Sequence, residues 1–196
     1  AVFFPVRVGY GVTTGPDVED TGSCQRKVYP PGYEAAAVQS LAVIELAKSK
    51  PWIDPTRGIV VGQSYGGTTS IALAARNIPG VLAAINFAGG GGGDPKNRPQ
   101  QPCGVEKLTS LFASYGKTAK IPTAWMYSPS DLYWGPDIPR QWFDAFRKEG
   151  GKGEFIALPP IQPDGHLSFS RNRNAWSVPL EKFLASCCPT LPIPKR

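Results

Sequence analysis

The chain has 196 residues and a formal net charge of +6. Hydrophobic residues make up 41% and charged residues 18%, which is typical of a globular protein, and no apolar run approaches the roughly 18 residues that a membrane span needs. The lysines and arginines are scattered singly or in pairs, as at Arg171 and Arg173, so the positive charge does not predict nucleic-acid binding. We therefore expect neither nucleic acid nor a membrane as a partner.

The cysteines do not have the spacing of a metal site. Neither a metal nor an organic cofactor is predicted. The neighbouring pair at 187 and 188 is unsuited to an internal bond, because a disulfide would strain the peptide that joins the two residues. An even number of cysteines favours a periplasmic or secreted protein. The four positions are Cys24, Cys103, Cys187 and Cys188.

Strands and helices alternate along the chain, a pattern that predicts an α/β fold with a mostly parallel sheet flanked by helices. The first apolar run, residues 2–8, is predicted to be a strand near a sheet edge because it contains Pro5. A long loop rich in glycine and proline follows at 9–31. Small and aliphatic residues at three- and four-residue spacing predict a helix over 33–48.

Two apolar runs in the middle of the chain, 58–61 and 81–88, have the uniform character of buried strands. Between them a helix is predicted over 65–77, ended by a Pro-Gly pair. The second strand leads into the glycine run 89–93. We interpret this run as a loop that passes close to a functional site, in preference to an anion-binding nest of amides.

The rest of the chain continues the alternation, so that five strands and five helices form one domain over 1–188. A proline-rich tail at 189–196 is expected to be extended. The remaining predictions are helices at 105–115, 138–148 and 175–186 and strands at 121–127 and 154–158.

The most specific motif is a G-x-S-x-G, formed by Gly62, Ser64 and Gly66 between the strand 58–61 and the following helix. A serine on such a turn projects its hydroxyl clear of the sheet, and the flanking glycines give the helix room to pack. The backbone N–H of Tyr65 then lies where it can donate to a substrate carbonyl oxygen. A phosphate loop is the alternative, but its G-K-S/T ending is absent. Ser64 is the predicted nucleophile.

A serine nucleophile needs a base and an acid that orients the base. His166 is the sole histidine and follows the last predicted strand. Asp131 follows the strand 121–127, which gives the order Ser, Asp, His along the chain. Asp137 and Asp164 are rival acids, but the first begins a helix and the second almost adjoins the histidine.

Together, these motifs resemble the α/β-hydrolase superfamily, and the segments 131–134 (Asp-Leu-Tyr-Trp) and 164–166 (Asp-Gly-His) are similar to its dienelactone hydrolase-like branch. The resemblance covers residues 2–186. It implies hydrolysis of a carboxylic ester or related acyl bond through an acyl-enzyme on Ser64. Dienelactone hydrolases proper use a cysteine in the elbow, so this serine places the chain nearer the serine esterases of the branch.

The beginning of the chain departs from the family. Its members have earlier strands, one of which lies in the middle of the sheet and ends in a His-Gly loop that donates the second oxyanion N–H. Residues 2–8 resemble the strand that follows, and no His-Gly pair precedes Ser64. Either a missing N-terminal segment of the same protein supplies that donor, or another backbone amide does.

The loops 10–31 and 94–104 leave the same sheet edge as Ser64 and are predicted to form the walls of the substrate site. Cys24 and Cys103 lie in these two loops, so we hypothesise a disulfide between them. Aromatic side chains are candidates for lining an apolar pocket near the nucleophile, namely Tyr10, Tyr65, Phe87, Tyr133 and Trp134.

Three functions stay open at this point. The first is a serine esterase that acts on a small-molecule ester or acyl substrate. A peptidase of the prolyl-oligopeptidase type has the same elbow and residue order, but such enzymes usually carry a large extra domain. The third is a non-catalytic binding protein that has kept the fold and lost an oxyanion donor.

Overall fold

The computed structural model describes residues 1–191. At its centre lies a four-stranded sheet in which neighbouring strands are all parallel. The carboxyl ends of the strands therefore meet at one edge, where ligands bind in open sheets of this kind. In spatial order the strands are β1 (Gly58–Gln63), β2 (Val81–Phe87), β3 (Thr123–Tyr127) and β4 (Gly153–Ala157).

Helices cover both faces of the sheet. One large cluster of buried side chains joins the first four helices to one face, and a second cluster joins the last helix to the other face. Within residues 1–191 the α-helices are α1 (Tyr29–Lys48), α2 (Tyr65–Ala75), α3 (Val105–Thr118), α4 (Ile138–Lys148), α5 (Ser168–Arg171) and α6 (Arg173–Cys187).

The predicted first strand at 2–8 is wrong, so the described residues contain four strands and not five. Val2 and Phe4 are 93% and 90% exposed. An apolar run becomes a strand only when a neighbouring backbone pairs with it, and in the described part of the chain nothing pairs with the outer edge of β1. The prediction that 58–61 is a buried strand is also wrong for the described residues, because β1 is the edge strand of the sheet and its Ile59 and Val61 are 37% and 47% exposed.

Element boundaries elsewhere lie close to the predictions. The helix α1 begins four residues earlier than predicted because Pro30 and Pro31 occupy its first turn, where a missing backbone N–H leaves no hydrogen bond unmade. The short α5 was not predicted. The predicted tail at 189–196 lies mostly outside the described residues, and Leu191 N donates to Cys188 O in a turn.

The first core cluster holds α3 and α4 against β3. Trp125 of β3 is fully buried, and its ring lies 4.9 Å from that of Phe112 on α3 and 5.3 Å from that of Phe146 on α4. Aromatic contacts of this kind add to the free energy of burying the rings. They fix the position of β3 against α3 and α4, and with it the position of the loop that carries Asp131.

Candidate active site

Ser64 lies on the turn between β1 and α2, with φ 56° and ψ −122°, a conformation that non-glycine residues rarely adopt. Neighbouring backbone groups hold it there. Ser64 N donates to Phe87 O at 2.9 Å, and Ser64 O accepts from Gly67 N at 2.9 Å and from Thr68 N at 3.2 Å. The strained residue is thus fixed by the sheet and by the first turn of the helix, as expected for a nucleophile elbow.

Two glycines of the elbow are required by space. A Cβ atom on Gly62 would lie 1.9 Å from Gly66 O, and one on Gly67 would lie 2.4 Å from Asn86 Oδ1. A Cβ atom on Gly66 would meet nothing within 4 Å. The expectation that Gly66 gives the helix room is therefore wrong. Gly62 and Gly67 are the positions at which a side chain would prevent the close packing.

Tyr65 begins α2, so its backbone N–H belongs to the first turn, where amides have no acceptor within the helix. Its side chain points away from the motif. The ring stacks on Tyr33 with 4.2 Å between centroids, and the hydroxyl donates to Glu19 O at 3.1 Å. Burial raises the pKa of Tyr65, so the phenol stays protonated and serves to hold the N-terminal loop.

His166 and Asp131 form a buried pair. Nδ1 of His166 lies 2.9 Å from Oδ2 of Asp131, and the two residues are 7% and 0% exposed. The other carboxylate oxygen, Oδ1, accepts from Tyr133 N at 2.8 Å and from Trp134 N at 3.2 Å. With Oδ2 left for the imidazole, the proton belongs on Nδ1 and Nε2 is the basic nitrogen.

Asp164, the rival acid, joins the two loops instead of contacting the imidazole. Its Oδ1 accepts from Leu132 N and from His166 N, both at 2.9 Å. Gly165 lies so close to the acid loop that a Cβ atom there would be 2.5 Å from Asp131 N. The other rival, Asp137, is the residue before α4. No sequence signal indicates that Asp164 bridges the two loops, because this role depends on how closely the loops approach each other in space.

Gln63 connects the elbow to the histidine loop. Its Nε2 donates to His166 O at 2.8 Å. The residue directly before Ser64 thus holds the backbone of His166 next to the turn that carries the serine. Sequence reasoning missed this residue, although a long amide side chain beside the motif serine was a usable signal.

Two of the aromatic candidates surround the imidazole. The ring of Tyr133 stacks on that of His166 with 4.0 Å between centroids, and Trp134 meets it edge-on at 5.6 Å. The Trp134 indole N–H donates to Ala88 O at 2.8 Å, which fixes the ring in the core. These contacts restrict the imidazole to one orientation.

Besides Tyr65, two further pocket candidates, Phe87 and Tyr10, make no ring contact with the imidazole. Phe87 is 1% exposed and packs against Phe169 and Trp176 on the face of α6, so its side chain fills the core. Tyr10 is 45% exposed and lies beside the guanidinium of Arg7. A pocket-lining role for Phe87 is wrong, because its side chain points into the core.

A cleft of about 450 Å³ opens beside Tyr133, between the loops 10–31 and 94–104. A disulfide between Cys24 and Cys103 joins these loops, as hypothesised from the sequence. Charged side chains on its walls include Lys27, Asp94 and Arg98.

The glycine run 89–93 leads from the elbow to this cleft. Gly90 N donates to Ser64 O at 3.3 Å, while Gly92 and Gly93 line the cleft. A Cβ atom on Gly90 would lie 2.7 Å from the Trp134 ring, and one on Gly93 2.7 Å from the Tyr133 ring. The close passage explains why the run contains glycine.

Within residues 1–191, no group of three or more His, Cys, Asp and Glu side chains is placed to hold a metal ion. In that same part of the chain, no helix combines the length and the apolar character needed to cross a membrane.

Solved structures of similar fold include hydrolases of several kinds. An esterase of Pyrococcus furiosus superposes with a TM-score of 0.55 at 11% identity, over 76% of this chain and 61% of that one. A dienelactone hydrolase-like promiscuous phosphotriesterase from metagenomic libraries gives 0.53 at 15% identity, over 81% and 69%. An acylaminoacyl peptidase of Pyrococcus horikoshii gives 0.57 at 14% identity, over 85% and 29%.

These likenesses show that the chain has the α/β-hydrolase fold. The chain spans about three fifths of the length of the esterase. No protein-family model matches the sequence, and comparison with curated protein sequences gives no match.

Proposed function

We propose that this chain is a serine hydrolase that cleaves a carboxylic ester or a related acyl bond. The observation that carries the proposal is the connected set of contacts from Gln63, beside the motif serine, through His166 to Asp131. Ser64 itself is partly exposed on its strained turn, so a substrate carbonyl can reach the hydroxyl. Esterases and a peptidase among proteins of the same fold support the proposal.

In the proposed reaction the Ser64 hydroxyl attacks the carbonyl carbon while Nε2 of His166 takes its proton. Asp131 accepts from Nδ1–H and stabilises the imidazolium that forms. The negative oxygen of the tetrahedral intermediate is stabilised by the Tyr65 N–H at the positive end of α2. The imidazolium then gives its proton to the leaving alcohol as the intermediate collapses to an acyl-enzyme.

Water completes the cycle. His166 removes a proton from a water molecule, the hydroxide adds to the acyl carbon, and Ser64 leaves with the proton returned by the imidazolium. No metal takes part in this scheme.

We propose that the second oxyanion donor comes from an N-terminal segment of the same protein that pairs with the open outer edge of β1. Support comes from the exposed Ile59 and Val61 on this edge and from the greater length of the esterase of the same fold.

A fluorophosphonate probe tests the proposed nucleophile. We expect a covalent adduct on Ser64, located by peptide mass spectrometry, and loss of labelling in Ser64→Ala and His166→Ala. Ser110→Ala is the matched control because this serine is exposed on α3. An unlabelled but folded protein would favour a non-catalytic binding role.

A pair of substrates tests the bond that is cleaved. We expect hydrolysis of a short-chain 4-nitrophenyl ester at a higher kcat/KM than of an aminoacyl-proline amide. A preference for the amide would instead support the peptidase alternative, which the acylaminoacyl peptidase of the same fold brings into consideration.

A further inference from the structure

The imidazole of His166 carries a positive charge in each half of the proposed reaction, although the residue is only 7% exposed. A buried ring has little water around it to stabilise that charge, so the protein has to do so. Asp131 acts at one nitrogen, since its Oδ2 lies 2.9 Å from Nδ1. The other nitrogen, Nε2, exchanges the proton with Ser64 in the proposed scheme. The two faces of the ring remain as places where a further group can stabilise the imidazolium.

Tyr133 covers one of these faces. Its ring centroid lies 4.0 Å from that of His166, and the two ring planes are inclined by only 27°. The face of an aromatic ring carries partial negative charge and attracts a cation within about 6 Å of its centroid. A neutral imidazole gains much less from this attraction than an imidazolium does. The stacked contact therefore favours the protonated form of His166, which is the form that develops during proton transfer.

Trp134, the other aromatic neighbour, contacts the imidazole in a different way. Its ring centroid is 5.6 Å from that of His166 and the ring planes are inclined by 71°, so the two rings do not stack. The indole N–H is already committed to Ala88 O at 2.8 Å. Trp134 thus limits where the imidazole can lie, whereas Tyr133 is the residue that presents its face to the charge.

The ring of Tyr133 is in place before any charge forms. Its backbone N–H donates to Oδ1 of Asp131 at 2.8 Å, so the residue is tied to the same carboxylate that orients the base. Gly93 packs closely against it, since a Cβ atom there would lie 2.7 Å from Cδ1 and 3.0 Å from Cβ of Tyr133. A group that is already positioned stabilises a developing charge without the cost of rearrangement.

We propose that Tyr133 is a positioning residue that acts through His166, and that the face of its ring stabilises the imidazolium formed in both acylation and deacylation. This inference rests on the proposed hydrolase function and adds an aromatic ring to the groups that carry it. Because the imidazolium forms in both halves of the cycle, kcat should respond whichever half limits the rate.

Phenylalanine analogues with increasing numbers of ring fluorines, introduced at position 133, test this role. Each fluorine weakens the negative face of the ring while leaving its shape nearly unchanged. We expect Tyr133→Phe to keep kcat for a short-chain 4-nitrophenyl ester within about twofold of the wild type. Along the fluorinated series kcat should fall stepwise, to about a tenth for the trifluorinated ring, and Tyr133→Leu should show a loss of similar size.

The same fluorinated series at Tyr115 is the matched control. This ring lies on α3 and packs against Phe112 with 6.5 Å between centroids, so kcat should stay level along the series. A level kcat along the series at position 133, in protein as active as the wild type, would overturn the role of Tyr133 while the hydrolase function stood.

Two other outcomes would also decide the matter. A loss that is already complete in Tyr133→Phe would overturn the inference, because the hydroxyl and not the ring face would then carry the effect. A wild-type protein that neither cleaves the ester nor reacts with the fluorophosphonate probe would overturn the hydrolase function, and the inference with it.

Discussion

The loops that follow β3 and β4 differ sharply in burial and in hydrogen bonding from the segment that precedes α1. In the first region Asp131 is 0% exposed, and the hydrogen bonds of Asp131, Asp164 and Gln63 hold the loops against each other. In the second region Val2 and Phe4 are at least 90% exposed. Within residues 1–191, the strand β1 that leads to Ser64 pairs along one edge with β2 and is unpaired along the other. Asp131 and His166 are thus held by contacts within the described residues, whereas the strand that leads to Ser64 is paired along one edge only.

The largest effect is expected from replacing Asp131, the proposed acid, in the ordered loops. Asp131→Asn should lower kcat by roughly three to four orders of magnitude, because an amide no longer stabilises the imidazolium. Ester hydrolysis under saturating substrate measures the effect. Asp137→Asn, an exposed change in the residue before α4, should leave kcat within about twofold. Comparable losses in the two variants would contradict the assignment of Asp131.

Removing the disulfide tests how far the stability of the segment that precedes α1 depends on a covalent link. The Cys24–Cys103 bond closes a loop with a sequence separation of 79 residues. The Cys24→Ser/Cys103→Ser variant should therefore lose about 2–4 kcal/mol of unfolding free energy in urea titration. Cys187→Ser, a change at a cysteine outside the bond, serves as the control. Equal stability of the two variants would show that the loops hold without the bond.

A subtler change weakens the connection between the elbow and the histidine loop. Gln63→Ala removes the hydrogen bond to His166 O and should lower kcat about tenfold with little change in KM, since the base moves and the substrate contacts stay. Gln141→Ala on the exposed face of α4 is the matched control. A rise in KM alone would assign Gln63 to substrate binding.

The smallest effect is expected at the open edge of the sheet. Ile59 on β1 is 37% exposed and Ile85 on β2 is 0% exposed, so the same truncation compares an open with a closed environment. Ile85→Ala should cost about 2–5 kcal/mol in urea unfolding and Ile59→Ala less than about 1 kcal/mol. A protein that includes residues before Ala1 should show a larger cost at Ile59 if those residues cover β1.

The local chemistry of the sequence predicted much of this architecture. The β-branched run before Gly62 and the glycines around Ser64 indicate a strand, a turn and a helix, because each depends on neighbouring residues only. The order of the elements then places the Asp131 and His166 loops at one sheet edge. A local pattern could not show that residues 2–8 would lack a pairing strand. Nor could it show that Asp164 would bridge two loops, since that contact needs their distance in space.

The crowded passage of the glycine run limits how this protein can be diversified. A side chain at Gly90 or Gly93 would collide with tryptophan and tyrosine rings. Substitutions that change substrate preference are therefore not expected at these two positions. Positions 27 and 98, on the covalently joined loops, should tolerate substitution more readily because their half-buried side chains line an open cleft. Directed evolution of this scaffold should therefore accumulate its changes in the loop pair and leave the path between elbow and cleft untouched.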